Sequence, residues 1–416
     1  MSLHIPPALL HRRFRLLWIG QMISIAGTQM QVWALFWHIR NLTDQPIALG
    51  GIGLARIIPV ILFSLFGGLV ADVVNRRKVI FITQSVMAVG ALALALLTFN
   101  EKIALWQIYA LTAIQAMAVA FDNPARQALV PNLVPARDLP NAFSMNSVAF
   151  QVGSIVGPAL SGLVIAYAGQ AFVYLFNAVS FVAVLAALLL MGSVEQQVQP
   201  EQRVPINLSA IQEGIRFILA QPMILSTMLL DFFATFFSSA NTLMPIFARD
   251  ILHVGAIEYG WLSAAQSIGA VGAALVISQV HEIRRQGPIF LISVVIFGLA
   301  TILFGLSTLL WAAMLALVLV GAADTVSTII RNTIRQLQTP DYIRGRMTSI
   351  NQIFFLGGPQ LGEVEAGAVA QIFGAPLAVV SGGVGCILAV IWIARRWPQI
   401  LLYNGDEPVR AEATAN

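Results

Sequence analysis

Apolar runs of about twenty or more residues recur along the whole chain, separated by short polar clusters. A helix of that length crosses roughly 30 Å of hydrocarbon. The pattern predicts helices over about 14–38, 48–73, 78–98, 103–125, 140–168 and 171–191, then over about 222–248, 257–280, 287–308, 310–333, 345–372 and 375–395. The fold class is an all-α membrane protein of twelve transmembrane helices in two six-helix bundles.

The longest polar stretch separates the sixth predicted helix from the seventh and carries Glu195, Pro200, Glu201, Arg203 and Pro205. It divides the chain into a first bundle (1–191), a linker (192–221), a second bundle (222–397) and a tail (398–416). Within the linker, Leu208–Ala220 can form a short surface helix. The first apolar run is too long for the apolar core of a signal peptide and has no small-residue cleavage site, so it is expected to stay.

Composition removes the soluble alternative: 58% of residues are apolar and 10% charged, against about 45–50% and 25% in soluble domains. A formal charge of +4 fits nucleic-acid binding poorly, because the basic residues sit in patches between apolar runs. Nineteen of the 23 Lys and Arg residues fall on one side of the predicted topology, Arg12, Arg13, Arg76, Arg77, Lys78, Arg331 and Arg335 among them. That bias places both termini in the cytoplasm of a multi-pass protein, expected in a bacterial inner membrane. Cys386 is the single cysteine, so an intrachain disulfide is excluded. Neither Lys78 nor Lys102 follows a phosphate-cradling glycine run, which points to an ion gradient as the energy source. The five histidines have no metal-ligand spacing and no hydrolase motif is present, so neither a metal, a cofactor nor an enzyme activity is expected.

The two halves repeat. A shift of 205 positions pairs Arg126 with Arg331, Pro135 with Pro340, Asn146 with Asn351, Gly153 with Gly358, Gly157 with Gly362, Gly162 with Gly367 and Gly169 with Gly374. Parallel repeats of six helices are an architecture of secondary transporters.

Three motifs carry a family likeness. After the second helix the chain reads Gly68, Ala71, Asp72, Asn75, Arg76, Arg77, a carboxylate followed by a basic cluster. The fifth helix carries Gly153, Gly157, Pro158 and Gly162, a spacing that lets another backbone approach one face. A third stretch runs from Phe121 through Asp122, Asn123, Pro124, Ala125 and Arg126 to Pro131. Together they resemble the major facilitator superfamily, in its enterobactin-exporter-like and multidrug-efflux branch. The resemblance implies a cytoplasmic gate at Gly68, Asp72, Arg76 and Arg77, and an antiporter-type packing motif on the fifth helix. Two departures weaken the match: Asn75 stands where the family has glycine, and Thr112 where many proton antiporters have a buried arginine. The second copy of the gate loop has His281 at the position of Asp72.

Ionisable residues inside the hydrocarbon are costly and are candidates for function by default. Arg56, Asp231, Asp324 and Glu363 each fall within roughly 6 Å of the centre of a predicted helix at 1.5 Å per residue, and are the candidates for coupling or substrate contact. Phe232, Phe233, Phe236 and Phe237 add an aromatic wall of the kind that suits amphipathic ligands. The expected activity is that of a secondary-active exporter of a small amphipathic compound, siderophore or drug-like, working by alternating access. It would act as a monomer with proton coupling and no partner beyond substrate and bilayer. An uptake symporter for a small nutrient, or a non-transporting receptor of the same fold, stays open as an alternative.

Overall fold

The computed structural model describes residues 6–194, 208–238, 240–280, 283–340 and 343–405. Among them there is no strand, and twelve long helices succeed one another. They are α1 (Arg12–Leu42), α2 (Pro46–Val73), α3 (Arg76–Phe99), α4 (Leu105–Leu129), α5 (Leu139–Ala168) and α6 (Gln170–Met191). The second set is α7 (Pro222–Phe237), α8 (Ala256–Ser278), α9 (Gln286–Leu306), α10 (Leu310–Leu337), α11 (Arg344–Phe373) and α12 (Ala375–Arg396). Nine helical stretches among the described residues are long and apolar enough to cross a membrane. The long helices outside that set are α1, α4 and α11, whose polar side chains include Gln21, Gln29 and Gln31, Gln115 and Asp122, and Gln360 and Glu363.

The helix predicted over about 222–248 is broken. The α7 helix ends at Phe237, and the chain passes through a 3-10 turn (Ala240–Leu243) and a π-helical turn (Phe247–Ile251). Ser238, Asn241 and Thr242 are weak helix formers, and Pro245 offers no N–H to continue the ladder. The short helix expected over Leu208–Ala220 forms.

Two compact units emerge. One comprises Met1–Gln202 with Met244–Ala264; the other comprises Arg203–Leu243 with Ala265–Asn416. In the first unit α1 packs on α5 and α6, α3 on α4 and α6, and α2 on α4. Four of these five pairs recur in the second unit, where α7 packs on α11 and α12, and α9 on α10 and α12. The repeat reaches the backbone: Gly169 between α5 and α6 and Gly374 between α11 and α12 both sit at φ +87°. That is a conformation in which any Cβ is strained, so glycine recurs at equivalent turns.

Close backbone approach accounts for further glycines. A Cβ on Gly269 or Gly321 would run into the Val318 or Gln266 carbonyl, which fixes the crossing of α8 with α10. In the first unit a Cβ on Gly67 would meet the Ala120 carbonyl at the corresponding crossing of α2 with α4.

Candidate functional site

The second unit gathers the strongest charge cluster among the described residues. Asp231 on α7 is 2% exposed and faces Arg331 and Arg335 of α10 at 3.0 and 3.4 Å. Arg331 and Arg335 are one turn apart and therefore share a helix face, as do Asp324 and Ser327 on the same helix and Thr227 with Asp231 on α7. Ser327 Oγ accepts from Arg331 at 3.1 Å, and the Thr227 carbonyl and hydroxyl accept from Arg335 at 2.8 and 3.2 Å. Asp324 stands 3.6 Å from Arg331, and its side chain is 42% exposed. Four formal charges thus cancel, and each arginine has more than one acceptor, the condition under which charges persist in a medium of low polarity.

The predicted tenth helix stops at about 333 and so includes Arg331 but not Arg335. Helix α10 runs on to Leu337, and both guanidinium groups are buried. Arg331 is the repeat partner of Arg126, and Arg126 forms a comparable cluster in the first unit. There, Asp122 on α4 is 2% exposed and accepts from Arg126 Nε at 2.9 Å, Thr83 Oγ1 at 2.8 Å and Gln84 Nε2 at 3.0 Å. The Gln21 amide oxygen of α1, in the orientation its neighbours require, accepts from Arg126 at 2.8 Å. In each unit an arginine of the fourth helix is therefore tied to a polar residue of the first. Asp122 is absent from the predicted intramembrane charges; its spacing of four from Arg126 is the signal in the sequence.

The remaining candidates lie on α2 and α11 and around the start of α3. Arg56 on α2 lies over the Phe36 ring at 5.6 Å, a cation–π contact within the first unit. Glu363 lies half-buried on α11 in the second unit. Arg76 donates to the Ala128 carbonyl and to Asn132, while Arg77 donates to the Leu188 carbonyl at 2.8 Å. The two arginines of the predicted gate thus hold the start of α3 against the ends of α4 and α6. Asn75 caps α3, accepting the Lys78 N–H at 3.3 Å, which explains a side chain that binds backbone where the family has glycine. A Cβ on Gly68 would have open space within 4 Å. The Asp72 side chain and the whole of His281 lie outside the described residues.

The α5 glycines have opposite surroundings to Gly68. A Cβ on Gly153 or Gly157 would stand 2.6 Å from Ile25 Cγ2 or 2.5 Å from Gln29 Cβ, and one on Gly162 would strike the Ala256 carbonyl. Gly162 and Gly260 face each other, and Pro158 lends its carbonyl to the same contact. This motif clamps α5 between α1 and the start of α8 inside the first unit. Tyr259 reinforces it by donating to the Trp33 carbonyl at 2.9 Å and packing on Trp37 with centroids 4.9 Å apart. In the second unit Phe232 stacks on Phe236 at 5.9 Å and meets Phe354 of α11 edge-on at 6.0 Å.

The profile of transmembrane secretion effectors, a family of the major facilitator superfamily, matches residues 6–401. The chain belongs to this family. As a secretion-effector-type transporter it moves a small molecule across a membrane and is not an enzyme. The enterobactin exporter of Citrobacter koseri is 26% identical over 400 residues, covering 96% of this chain and 95% of that one. The enterobactin exporter of Shigella boydii is also 26% identical, over 91% and 90% of the two chains. A bacterial homologue of the lysosomal transporter Spinster superposes with a TM-score of 0.74 at 14% identity, over 93% of this chain and 97% of that one. A transporter of the POT family gives 0.72 at 13% identity over 93% and 96%. These structures share its fold.

Proposed function

We propose that this transporter exports a small amphipathic compound carrying aromatic rings and hydrogen-bond donors, in exchange for protons, by alternating access. The observation that carries the proposal is the Asp231–Arg331–Arg335 cluster with Asp324 at its edge. Arg331 is shared between two carboxylates, one sealed and one 42% exposed. A proton or a donor group of the substrate reaches Asp324, and whichever arrives releases Arg331 to Asp231. Two ligands that compete for one carboxylate give exchange rather than co-transport. Phe232, Phe236 and Phe354 supply ring surface beside α7, and the exporters that this chain resembles are named for a siderophore. The gate proposed from the loop motif is Asp72 with Arg76 and Arg77, on the cytoplasmic side; Asp72→Asn would lower transport at normal expression.

Counterflow in proteoliposomes tests the assignment. Asp324→Asn should abolish accumulation driven by a pH gradient while retaining exchange of labelled for unlabelled substrate. Gradient-driven accumulation at the wild-type rate by Asp324→Asn would remove Asp324 from coupling.

A further inference from the structure

One end of the first unit carries two clefts side by side. Helices α1 and α3 begin at this end and α6 finishes there, so the clefts lie where the hydrocarbon gives way to headgroups. The first, about 330 Å³, is bounded by His11, Arg12 and Arg13 above Leu16, Leu133 and Leu190. The second, about 360 Å³, is bounded by Asn75, Arg77 and Lys78 above Phe81, Ile82 and Leu189. Leu189 and Leu190 are consecutive on the last turn of α6, so the clefts flank that turn.

Among the described residues, the charged groups lining these clefts are cations. No described carboxylate lines either one, and none of the described ion pairs is made by Arg12, Arg13, Arg77 or Lys78. The nearby Asp138 is taken up by His11 at 2.8 Å. Arg77 donates its Nε to the Leu188 carbonyl, which caps α6 and offsets the negative end of that helix. Below the cations the walls are apolar and open: Ile82, Leu189 and Leu190 are each more than 60% exposed. A soluble anion would use the cations and leave the leucines in water. A polar rim of positive charge above an apolar floor matches a molecule with a phosphate at one end and hydrocarbon at the other.

We propose that these two clefts form a binding site for an anionic phospholipid of the surrounding leaflet. Its phosphate is held by Arg12 and Arg13 on one side of α6 and by Arg77 and Lys78 on the other, and its acyl chains run down over Leu189 and Leu190. A headgroup with two phosphates engages both clefts at once and binds more tightly than one with a single phosphate.

Thermal unfolding of the purified full chain in detergent tests this. Diphosphatidylglycerol should raise Tm by at least about 2 °C, with phosphatidylglycerol giving a smaller rise and phosphatidylcholine or inorganic phosphate none. Arg12→Ala/Arg13→Ala/Lys78→Ala should lose most of the rise while keeping its lipid-free Tm. Arg12→Lys/Arg13→Lys, which keeps the charge, guards against a folding defect and should retain most of it. Arg395→Ala/Arg396→Ala should retain all of it. An equal rise with phosphatidylcholine, a full rise in the triple alanine variant, or reproduction of the effect by inorganic phosphate would each overturn the proposal.

Discussion

The Asp231 carboxylate on α7 and the Arg331 guanidinium on α10 stand 3.0 Å apart, with 2% and 4% of their side chains exposed. Asp231 is shared with Arg335, so its removal takes a carboxylate from two buried cations, leaving Arg331 with Asp324 and Ser327 and Arg335 with the neutral Thr227. Asp231→Asn is expected to cost about 3–5 kcal/mol of stability, the range for breaking a buried pair on one side only. Removing a cation as well, in Asp231→Asn/Arg331→Gln, should recover part of the lost Tm. Thermal unfolding of both variants checks this; wild-type stability of Asp231→Asn would show that the pair is neither sealed nor strong.

Asp122 makes the matching prediction in the first unit. It accepts from Arg126, Thr83 and Gln84, and so joins α3 to α4. Asp122→Ala should lower Tm more than Thr83→Val, because the first strands a charge and the second removes one neutral hydrogen bond worth about 0.5–1.5 kcal/mol. Equal losses would contradict the assignment of Arg126 to Asp122.

Two glycines of the sequence motifs separate cleanly by geometry. A side chain at Gly162 collides with the backbone of α8, whereas one at Gly68 meets open space. Gly162→Val should therefore reduce folded yield and abolish transport, and Gly68→Ala should leave yield and Tm unchanged. Normal yield from Gly162→Val would mean that α5 and α8 do not touch there.

Arg40 at the end of α1 donates to Asp250 at 3.1 and 2.6 Å and also pairs with Asp44. Asp250 is one-third exposed, so the pair is worth about 0.2–1 kcal/mol and Asp250→Asn should shift Tm little. A large loss of stability in that variant would show that the contact is better shielded than its exposure implies.

Much of this architecture is legible in the sequence because hydropathy and spacing are local properties. The runs of apolar residues locate the helices, and the 205-residue repeat anticipates the shared φ of Gly169 and Gly374. The charge clusters are less legible. Arg331 and Arg335 stand at and just past the predicted end of the tenth helix and enter the sequence reading only through the charge bias, but α10 continues through both and turns them toward α7. Which face of a helix meets its neighbour depends on packing between segments about a hundred residues apart, as for Asp231 and Arg331. The break after Phe237 is visible only as weak helix formers, Ser238, Asn241 and Thr242, in an otherwise apolar run.

The most direct test of the central claim is proton movement in sealed proteoliposomes holding a pH-sensitive dye. With an inward-directed pH gradient, addition of a catecholate siderophore or an aromatic efflux dye on the substrate-accepting side should drive substrate one way and protons the other in wild-type protein. Asp231→Asn and Asp324→Asn should show neither flux. Substrate movement at the wild-type rate with no proton flux, or with the pH gradient collapsed, would contradict proton exchange through this cluster.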